Sequence, residues 1–261
     1  MKTILLDIGG SFIKRADHSQ VHIPSSGSRE EIAAALREAI SDCSGAGGIG
    51  VSIPGPFDYV RGIFLMRHKY TSAYGESFRE LAGIKDDIRL RFMHDVNAPL
   101  LGALGMLGLK DAALVTLGTG LGFSYAKDGR VQQGPDGSPA IKLWNRPWGS
   151  GILEDIVSAR GITGSYAHVS GEKGQSALSI ALKARAGDVS AQQCYLQVGA
   201  TLGEALKPVL DELGIHTLLA GGQISKSLDL MLPTLGPQLG DSEIIPLPED
   251  AVFAGLSTLF D

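Results

Sequence analysis

Two glycine-rich turns combine residue types and spacing that suit phosphate chemistry. Residues 7–11 (Asp-Ile-Gly-Gly-Ser) and residues 116–122 (Thr-Leu-Gly-Thr-Gly-Leu-Gly) each lie between apolar stretches typical of paired strands. Glycine lets a main chain turn tightly, adopt a positive φ and bring its N–H groups against phosphate oxygens, which a Cβ would hinder. One such turn alone is more typical of an ordinary hairpin. The pair favours two backbone loops that bind one polyphosphate.

Charged residues flank the first turn. Asp7 follows an apolar stretch, so its carboxylate would face a bound phosphate and could hold Mg²⁺ through water. An aspartate that only stabilises the turn is the alternative. Lys14 could reach a phosphate from the second strand, although a solvated strand lysine fits the pattern equally well. The first turn therefore predicts a metal and phosphate site with Asp7 as its main side chain.

Asp95 is the strongest candidate for a catalytic group. Residues 94–97 (His-Asp-Val-Asn) come directly after a strand-like stretch, and functional groups of open α/β sheets gather at such strand ends. A carboxylate there can accept the proton of a substrate hydroxyl as its oxygen attacks a γ-phosphoryl group. The alternative is structural, because Asp95 or Asn97 could simply cap the helix that starts at Ala98.

A third glycine pair, Gly221 and Gly222, follows a buried strand and precedes a helix. This position suits a nucleotide base or ribose that passes close to the backbone, and a plain helix entry is the equal alternative. Five histidines show no ligand spacing with one another or with cysteine, so no zinc site is predicted. These are His18, His22, His68, His168 and His216.

Apolar patterns predict the elements that position these residues, and Ser28 with Glu31 forms a capping box for the first helix. Glycines 45, 47 and 48 are expected to end that helix, and residues 134–150 form a loop. Strands are predicted at 2–8, 12–17, 21–23, 49–53, 57–66, 88–93, 112–117, 123–126, 130–132, 217–220 and 244–246. Helices are predicted at 29–40, 77–81, 98–107, 152–159, 176–186, 190–213, after 225 and at 251–260. The order of strands restarts at Ala112, which indicates a duplicated architecture.

Bulk properties restrict the class of partner. The chain has 261 residues, 44% of them hydrophobic, and a net charge of −5 without a sustained basic run. This charge argues against nucleic acid or anionic lipid as a partner and favours a small molecule. Cys43 and Cys194 fit two buried thiols in a reducing compartment. The apolar run at residues 4–6 is too short for a signal peptide or a spanning helix, so a cytoplasmic protein is expected.

Six motifs, in this order, resemble the ROK family of sugar kinases, and the match spans nearly the whole chain. They are residues 7–11, 50–56 (Gly-Val-Ser-Ile-Pro-Gly-Pro), 94–97, 117–122, 153–158 (Leu-Glu-Asp-Ile-Val-Ser) and 220–222 (Ala-Gly-Gly). The resemblance implies an α/β protein with the actin-like ATPase fold: two ribonuclease H-like domains with ATP and sugar in an interdomain cleft. Residues 1–97 with 247–261 would form the N-terminal domain and residues 98–246 the C-terminal domain. The final helix would cross back to the N-terminal domain.

The resemblance also implies roles for single residues. Asp95 would be the general base, and Asp7 would hold Mg²⁺ through water. Glu154 matches a glutamate that contacts the sugar in the family, and His94 and Asn97 are the further candidates for substrate contacts. The nucleotide would be bound by Asp7, Gly9, Gly10, Ser11, Lys14, Gly118, Thr119, Gly120, Gly221 and Gly222.

Departures from the family pattern concern the sugar pocket. His94 stands where family members have asparagine, and residues 67–70 (Arg-His-Lys-Tyr) stand where the family has a sugar-binding asparagine. The Glu-x-Gly-His motif and the zinc-binding cysteines have no counterpart between Gly134 and Gly151. That region instead carries Lys142, Trp144, Asn145, Arg146 and Trp148. The cationic groups suit an anionic or amino-sugar-derived substrate, or belong to solvated loops.

These features predict an ATP- and Mg²⁺-dependent kinase for a hydroxyl of a sugar or sugar derivative. The alternative is a non-catalytic sugar or nucleotide sensor derived from such a kinase, because several substrate contacts are replaced. An ATPase of the acyl-phosphate or chaperone type is disfavoured by Asp95, which suits a hydroxyl acceptor. The chain begins at its first strand without a DNA-binding helix-turn-helix, so no nucleic-acid partner is expected. A homodimer is among the oligomeric states left open.

Overall fold

A computed structural model describes residues 2–42 and 45–261. The chain forms two compact units. The first unit comprises Met1–Leu109, Gly129–Ala140 and Pro248–Asp261, and the second comprises Lys110–Asp128 and Ile141–Leu247. These limits differ from the predicted boundary after residue 97, because the helix Asn97–Leu107 packs against the last helix of the chain within the first unit.

The strands and helices follow the predicted order closely. The strands are β1 (Lys2–Ile8), β2 (Phe12–Arg15), β3 (Gln20–His22), β4 (Ala46–Ile53), β5 (Phe57–Asp58), β6 (Ile63–Phe64), β7 (Arg89–His94), β8 (Ala112–Leu117), β9 (Leu121–Lys127), β10 (Arg130–Val131), β11 (Pro147–Trp148), β12 (Gly151–Ile152), β13 (Thr217–Gly221) and β14 (Glu243–Pro246). The α-helices are α1 (Arg29–Ala39), α2 (Phe78–Ala82), α3 (Asn97–Leu107), α4 (Glu154–Val157), α5 (Ala159–Ser170), α6 (Ala177–Arg185), α7 (Val189–Leu213), α8 (Leu228–Leu239) and α9 (Ala251–Ser257). Short 3-10 helices lie at Thr71–Ala73, Ile224–Ser227 and Thr258–Phe260.

The first unit is built on a five-stranded sheet in the order β3-β2-β1-β4-β7. Strands β1 and β2 form an antiparallel hairpin, whereas β1, β4 and β7 run parallel to one another. Helix α1 covers the sheet with buried residues such as Ile32 and Leu36, and the predicted capping box of Ser28 and Glu31 is present. Because β1, β4 and β7 are parallel, their carboxyl ends meet at one edge of the sheet. Asp7, Ser52 and His94 all lie at that edge.

Helix α9 returns to the first unit, as the resemblance implied, and packs on α3, β1 and β4. Its contact with α3 is a contact of backbones. A Cβ on Gly102 would lie 1.8 Å from the carbonyl oxygen of Ala251, and a Cβ on Gly255 would lie 1.9 Å from that of Ala98. Any larger side chain at either position would force the helices apart.

The second unit repeats the strand order of the first. Its strands pair in the order β9-β8-β13-β14, with β8 and β9 antiparallel and β8, β13 and β14 parallel. This order matches β2-β1-β4-β7, so the duplicated architecture predicted from element order is confirmed for these four strands. The 25-residue helix α7 packs along α8. The helices approach closely at Gly199, since a Cβ there would lie 2.3 Å from the carbonyl oxygen of Met231.

Three expectations about elements are wrong. Residues 134–150 are not all loop, because Pro147–Trp148 forms β11, which pairs with β12. Helix α5 was not predicted, because Gly161 and Gly164 lower its helix propensity. Gly161 is required there, since its Cβ would lie 2.2 Å from the carbonyl oxygen of Ile156 at the junction with α4. Gly47 and Gly48 belong to β4 and do not end α1. Gly48 accommodates the ring of Phe260, which lies 2.3 Å from a would-be Cβ.

Cys194 is a buried free thiol, and Cys43 lies outside the described residues. A further observation concerns helix length: across residues 2–42 and 45–261, none of the helices combines the length and apolarity that crossing a bilayer requires.

Candidate functional site

Asp7 lies near the carboxyl end of β1 and contacts both neighbouring strands. It is paired with Ser52 on β4 and with Lys14 on β2. The Ser52 hydroxyl donates to Asp7 Oδ1 at 3.0 Å. Burial raises the pKa of Asp7, the charge of Lys14 and the Ser52 hydrogen bond oppose that rise, and the Asp95 charge adds to it. Asp7 and Asp95 therefore share one electrostatic environment within the first unit.

Asp95 directly follows β7 and is paired with the histidine before it. His94 Nδ1 lies 2.8 Å from Asp95 Oδ1, with 16% of the His94 side chain and 37% of the Asp95 side chain exposed. Burial acts to raise the pKa of Asp95, but the charge and hydrogen bond of His94 and the charge of Lys69 outweigh it. The net pKa of Asp95 lies below its ordinary value. An ionised carboxylate can accept a proton, as a general base must.

The first glycine turn is tied into the protein at Gly9. The Gly9 N–H donates to the carbonyl oxygen of Phe12 at 2.9 Å, and the hydroxyl of Tyr70 donates to the Gly9 carbonyl oxygen. Gly10 is half-buried and Ser11 is exposed. Neither glycine has a positive φ, so the expectation of a left-handed backbone here is wrong. The hairpin closes with ordinary dihedral angles. The contribution of the two glycines is a main chain that no Cβ covers.

Asn97 is the first residue of α3 and is fully buried. Its Nδ2 donates to the carbonyl oxygen of Gly137 at 3.2 Å, which ties α3 to the segment Gly129–Ala140 within the first unit. The side chain thus has a structural partner. Its role toward a sugar stays a prediction.

In the second unit, Glu154 lies against the second glycine turn. Its Oε2 accepts the N–H of Leu121 at 2.9 Å and stands 2.6 Å from where a Cβ on Gly120 would be. Only glycine at position 120 leaves room for this carboxylate. The turn itself is closed by the Gly118 N–H, which donates to the Gly120 carbonyl oxygen at 3.0 Å, and Thr119 is exposed at its tip. The main-chain N–H of Leu121 at this turn therefore already donates a hydrogen bond to a carboxylate oxygen, that of Glu154.

Gly221 and Gly222 lie beside the strand that leads into the second turn. Gly221 is paired with Thr116, and a Cβ on it would meet Leu247 at 2.8 Å. Gly222 has φ +86°, and its Cβ would lie 2.3 Å from the Leu117 carbonyl oxygen. The structure thus brings the predicted adenosine and second phosphate motifs together. The positive φ expected of glycine turns occurs here and not at Gly118 or Gly120.

Three polar residues at these sites escaped prediction. Ser52 bonds Asp7, and its signal was a lone hydroxyl in the apolar strand β4. Tyr70 is fully buried in a left-handed conformation, with φ 53°, for which the sequence carries no signal. Arg160 pairs with Glu154 at 3.0 Å and with Asp155 at 2.8 Å, and the unpredicted helix α5 positions it.

The donor chemistry of Asp7 fits magnesium. Its oxygens are hard ligands, and a carboxylate whose charge is disfavoured by burial gains from a nearby cation. Within the described part of the chain, no group of three or more His, Cys, Asp or Glu side chains could hold a metal ion. A magnesium ion at Asp7 would therefore take its remaining ligands from phosphate oxygens and water.

Comparison with known proteins yields structural relatives. No family model matches the chain, and no curated protein matches it. The ROK hexokinase from Thermus thermophilus superposes with a TM-score of 0.77 at 21% identity, over 98% of this chain and 96% of that one. A ROK-family glucokinase from Streptomyces griseus, in complex with glucose and AMPPNP, has a TM-score of 0.76 at 20% identity, over 98% of each chain. A ROK-family transcriptional regulator, a homolog of the E. coli MLC protein, has a TM-score of 0.74 at 18% identity, over 99% of this chain and 81% of that one.

At these identities the likeness establishes the fold. The chain has the α/β fold of ROK proteins, which the order of its six motifs predicted, and this part of the resemblance is confirmed. The relatives with this fold include both sugar kinases and a regulator.

Proposed function

We propose that this protein is an ATP-dependent kinase that phosphorylates a hydroxyl group of a sugar or sugar derivative. The observation that carries the proposal is the placement of Asp95: its carboxylate directly follows β7 with His94 Nδ1 2.8 Å from its Oδ1, and the charges of His94 and Lys69 lower its pKa. A structural N-cap needs none of these partners. The kinases with the same fold support the same activity class.

Asp95 acts as the general base. Its carboxylate accepts the proton of the acceptor hydroxyl while that oxygen forms a bond to the γ-phosphorus and the bond from phosphorus to the bridging oxygen of ADP breaks. The products are a phosphate ester, ADP and a proton on Asp95. Because phosphoryl transfer depends mainly on alignment and charge neutralisation, a single positioned base is sufficient protein chemistry for the acceptor side.

Asp7 and the two glycine turns serve the nucleotide. Asp7 would hold magnesium through water, and the ion would supply charge neutralisation for the phosphates. In the first unit, Gly10, Ser11 and Lys14 offer main-chain and ammonium groups beside Asp7. In the second unit, the turn at Gly118–Gly120 holds an anionic oxygen of Glu154, which supports anion binding there. Gly222 packs closely against the Leu117 backbone, which holds the motif assigned to the adenosine, Gly221 with Gly222, beside that turn.

His94, Asn97 and Glu154 are the proposed sugar contacts. Glu154 has a competing role, because its two oxygens engage Leu121 and Arg160. Its carboxylate must therefore exchange partners, or share one oxygen, when a sugar binds. His94 presents an imidazole where the family pattern has an amide, so a set of hydroxyls different from that of glucose is expected. A cytoplasmic location, where ATP is supplied, belongs to the same proposal.

A non-catalytic sugar or nucleotide sensor is the second candidate. The regulator with the same fold, together with the replaced residues around the sugar, favours it over other non-enzymatic roles. Such a protein would bind sugar and nucleotide without consuming ATP. The two candidates therefore separate on turnover and not on binding.

The test is a coupled assay of ATP consumption across neutral sugars, amino sugars and sugar acids, with magnesium present. Asp95→Asn should lower kcat by about 10²- to 10⁴-fold while ATP affinity changes by less than about twofold. Asp87→Asn is the matched control, because Asp87 is exposed in the turn before β7 and makes the same charge change. If the wild type turns over and Asp95→Asn keeps that turnover, the assignment of Asp95 as the general base is refuted. Binding of sugar without turnover would favour the sensor.

A further inference from the structure

Lys69 lies beside the first glycine turn. Its Cε and Nζ are 3.6 and 3.8 Å from the point where a Cβ on Gly10 would stand. The side chain is half-buried, whereas the neighbouring Arg67 and His68 are exposed. Among the residues that the structure describes, Lys69 forms no ion pair. A cationic side chain therefore lies against the uncovered main chain of the turn without a carboxylate in contact.

Tyr70 fixes the position of Lys69. The Tyr70 ring is fully buried, its hydroxyl donates to the Gly9 carbonyl oxygen, and its N–H donates to the Ser25 carbonyl oxygen at 2.6 Å. Tyr70 also adopts φ 53°, a conformation that costs free energy for a bulky residue and that the surrounding contacts must enforce. The segment that carries Lys69 is thus hydrogen-bonded to the turn at Gly9, and the Lys69 side chain lies beside Gly10.

Lys69 also acts on Asp95. Its charge is one of the causes that lower the pKa of the Asp95 carboxyl. The charged groups near this lysine are therefore Asp95 with its partner His94 and, farther away, Asp7 with its partner Lys14. One ammonium is close to the turn proposed to bind phosphate and within electrostatic reach of the proposed base. The group that moves between these two places in a kinase reaction is the transferred phosphoryl group.

We propose that Lys69 contacts the phosphoryl group as it is transferred. This inference rests on the proposed function and adds a catalytic residue to it. The ammonium stabilises negative charge on the equatorial oxygens of the phosphoryl group and keeps its own proton throughout, so the bonds that form and break are those already described. Tyr70 is its positioning residue. Lys69 has this role in addition to the magnesium held by Asp7.

The test compares Lys69→Met and Lys69→Arg with Lys85→Met, which makes the same change at an exposed lysine remote from the turn. Lys69→Met should lower kcat/KM by about 10²- to 10³-fold, as expected when one preorganised cationic donor is removed. Lys69→Arg should recover at least about tenfold of that loss. Lys85→Met should stay within about twofold of the wild type. An equal loss in Lys85→Met, or no loss in Lys69→Met, would overturn the inference.

A binding measurement separates this inference from the proposed function. By calorimetry with magnesium, Lys69→Met should lose about tenfold in affinity for AMPPNP and less than about twofold for ADP, because only the triphosphate carries the group that Lys69 contacts. Tyr70→Phe should lose a smaller part of the same preference. If the wild type phosphorylates no sugar but this preference is lost in Lys69→Met, the kinase proposal fails and the contact stands. If both nucleotides lose affinity equally, the contact is refuted. A wild type without preference for the triphosphate refutes the contact, and turnover alone decides the kinase proposal.

Discussion

His94 and Asp95 are adjacent in the chain, and their side chains face each other with 2.8 Å between His94 Nδ1 and Asp95 Oδ1. This pair lowers the pKa of the Asp95 carboxyl against the effect of burial. Because only the ionised carboxylate accepts a proton, activity should persist to a pH below the ordinary aspartate pKa of about 3.9, within the range where the fold survives.

Replacement of His94 should move the acid limb of the pH profile. In His94→Asn the carboxyl loses the partner that opposes burial, so its pKa rises and kcat/KM falls at a higher pH than in the wild type. The measurement is kcat/KM from pH 3 to 8, over the part of this range in which both proteins stay folded. His18→Asn is the control, since His18 is exposed and its φ of 64° is one that asparagine tolerates. An unshifted acid limb in His94→Asn would contradict the role assigned to His94.

Asp7→Asn should make the protein more stable and less active. The pKa of Asp7 is raised in the folded protein, so folding favours the protonated carboxyl and the free energy of unfolding falls as pH rises from the unfolded pKa toward the folded pKa. Asparagine does not titrate. The variant should therefore gain stability relative to the wild type between pH 4 and pH 7, as measured by urea unfolding at both values.

The same variant should lose activity. Removal of the carboxylate should lower kcat/KM by at least about tenfold, and magnesium with ATP should stabilise it less than the wild type. Asp87→Asn again supplies the control for the charge change. A variant that loses stability relative to the wild type between pH 4 and pH 7, or that keeps full activity, would show that Asp7 has the turn-stabilising role.

Gly120→Ala should strain the second turn. The new methyl group would stand 2.6 Å from Glu154 Oε2, so either the carboxylate or the turn must move, at a cost of about 1–3 kcal/mol. Urea unfolding measures this loss. In the Glu154→Ala background the obstructing carboxylate is absent, and the cost of Gly120→Ala should shrink by about 1 kcal/mol or more.

Gly118→Ala is the control within the same turn. A Cβ at Gly118 meets nothing within 4 Å, and its φ is not positive, so the change should stay within about 0.5 kcal/mol. Equal losses at positions 118 and 120 would mean that turn geometry, and not the Glu154 carboxylate, demands glycine.

Local patterns were sufficient to predict most of the elements. The capping box at Ser28 and the apolar period after it specify α1 directly, and the strand ends that carry Asp7 and Asp95 follow from short apolar runs. Helix α5 escaped prediction because its stability comes from packing of residues such as Ile162 and Tyr166, which overrides the low propensity of its glycines. The boundary between the two units was not predicted for a similar reason, since it depends on the contact between α3 and α9, a helix near the end of the sequence.

The candidate site was predictable in its motifs but not in its contacts. The fit between Glu154 and Gly120 joins residues 34 positions apart, and no periodicity encodes it. The placement of Lys69 depends on the Tyr70 hydroxyl that reaches Gly9 across 61 positions of the sequence. Such contacts are set by the register of the sheet and by the packing beneath it. From the sequence alone, residues 67–70 could be identified only as a cationic segment without an assigned role.

The helix pair that meets at Gly102 and Gly255 has a consequence for biosynthesis. A ribosome makes a chain from its N-terminal side, so the first unit must wait for residues 248–261 before its backbone contact at α3 can form. Residues 110–247 supply all of the second unit and are complete earlier. The unit that begins later in the chain therefore has all its parts first, and the face of α3 at Gly102 stays without its partner helix until α9 has been translated.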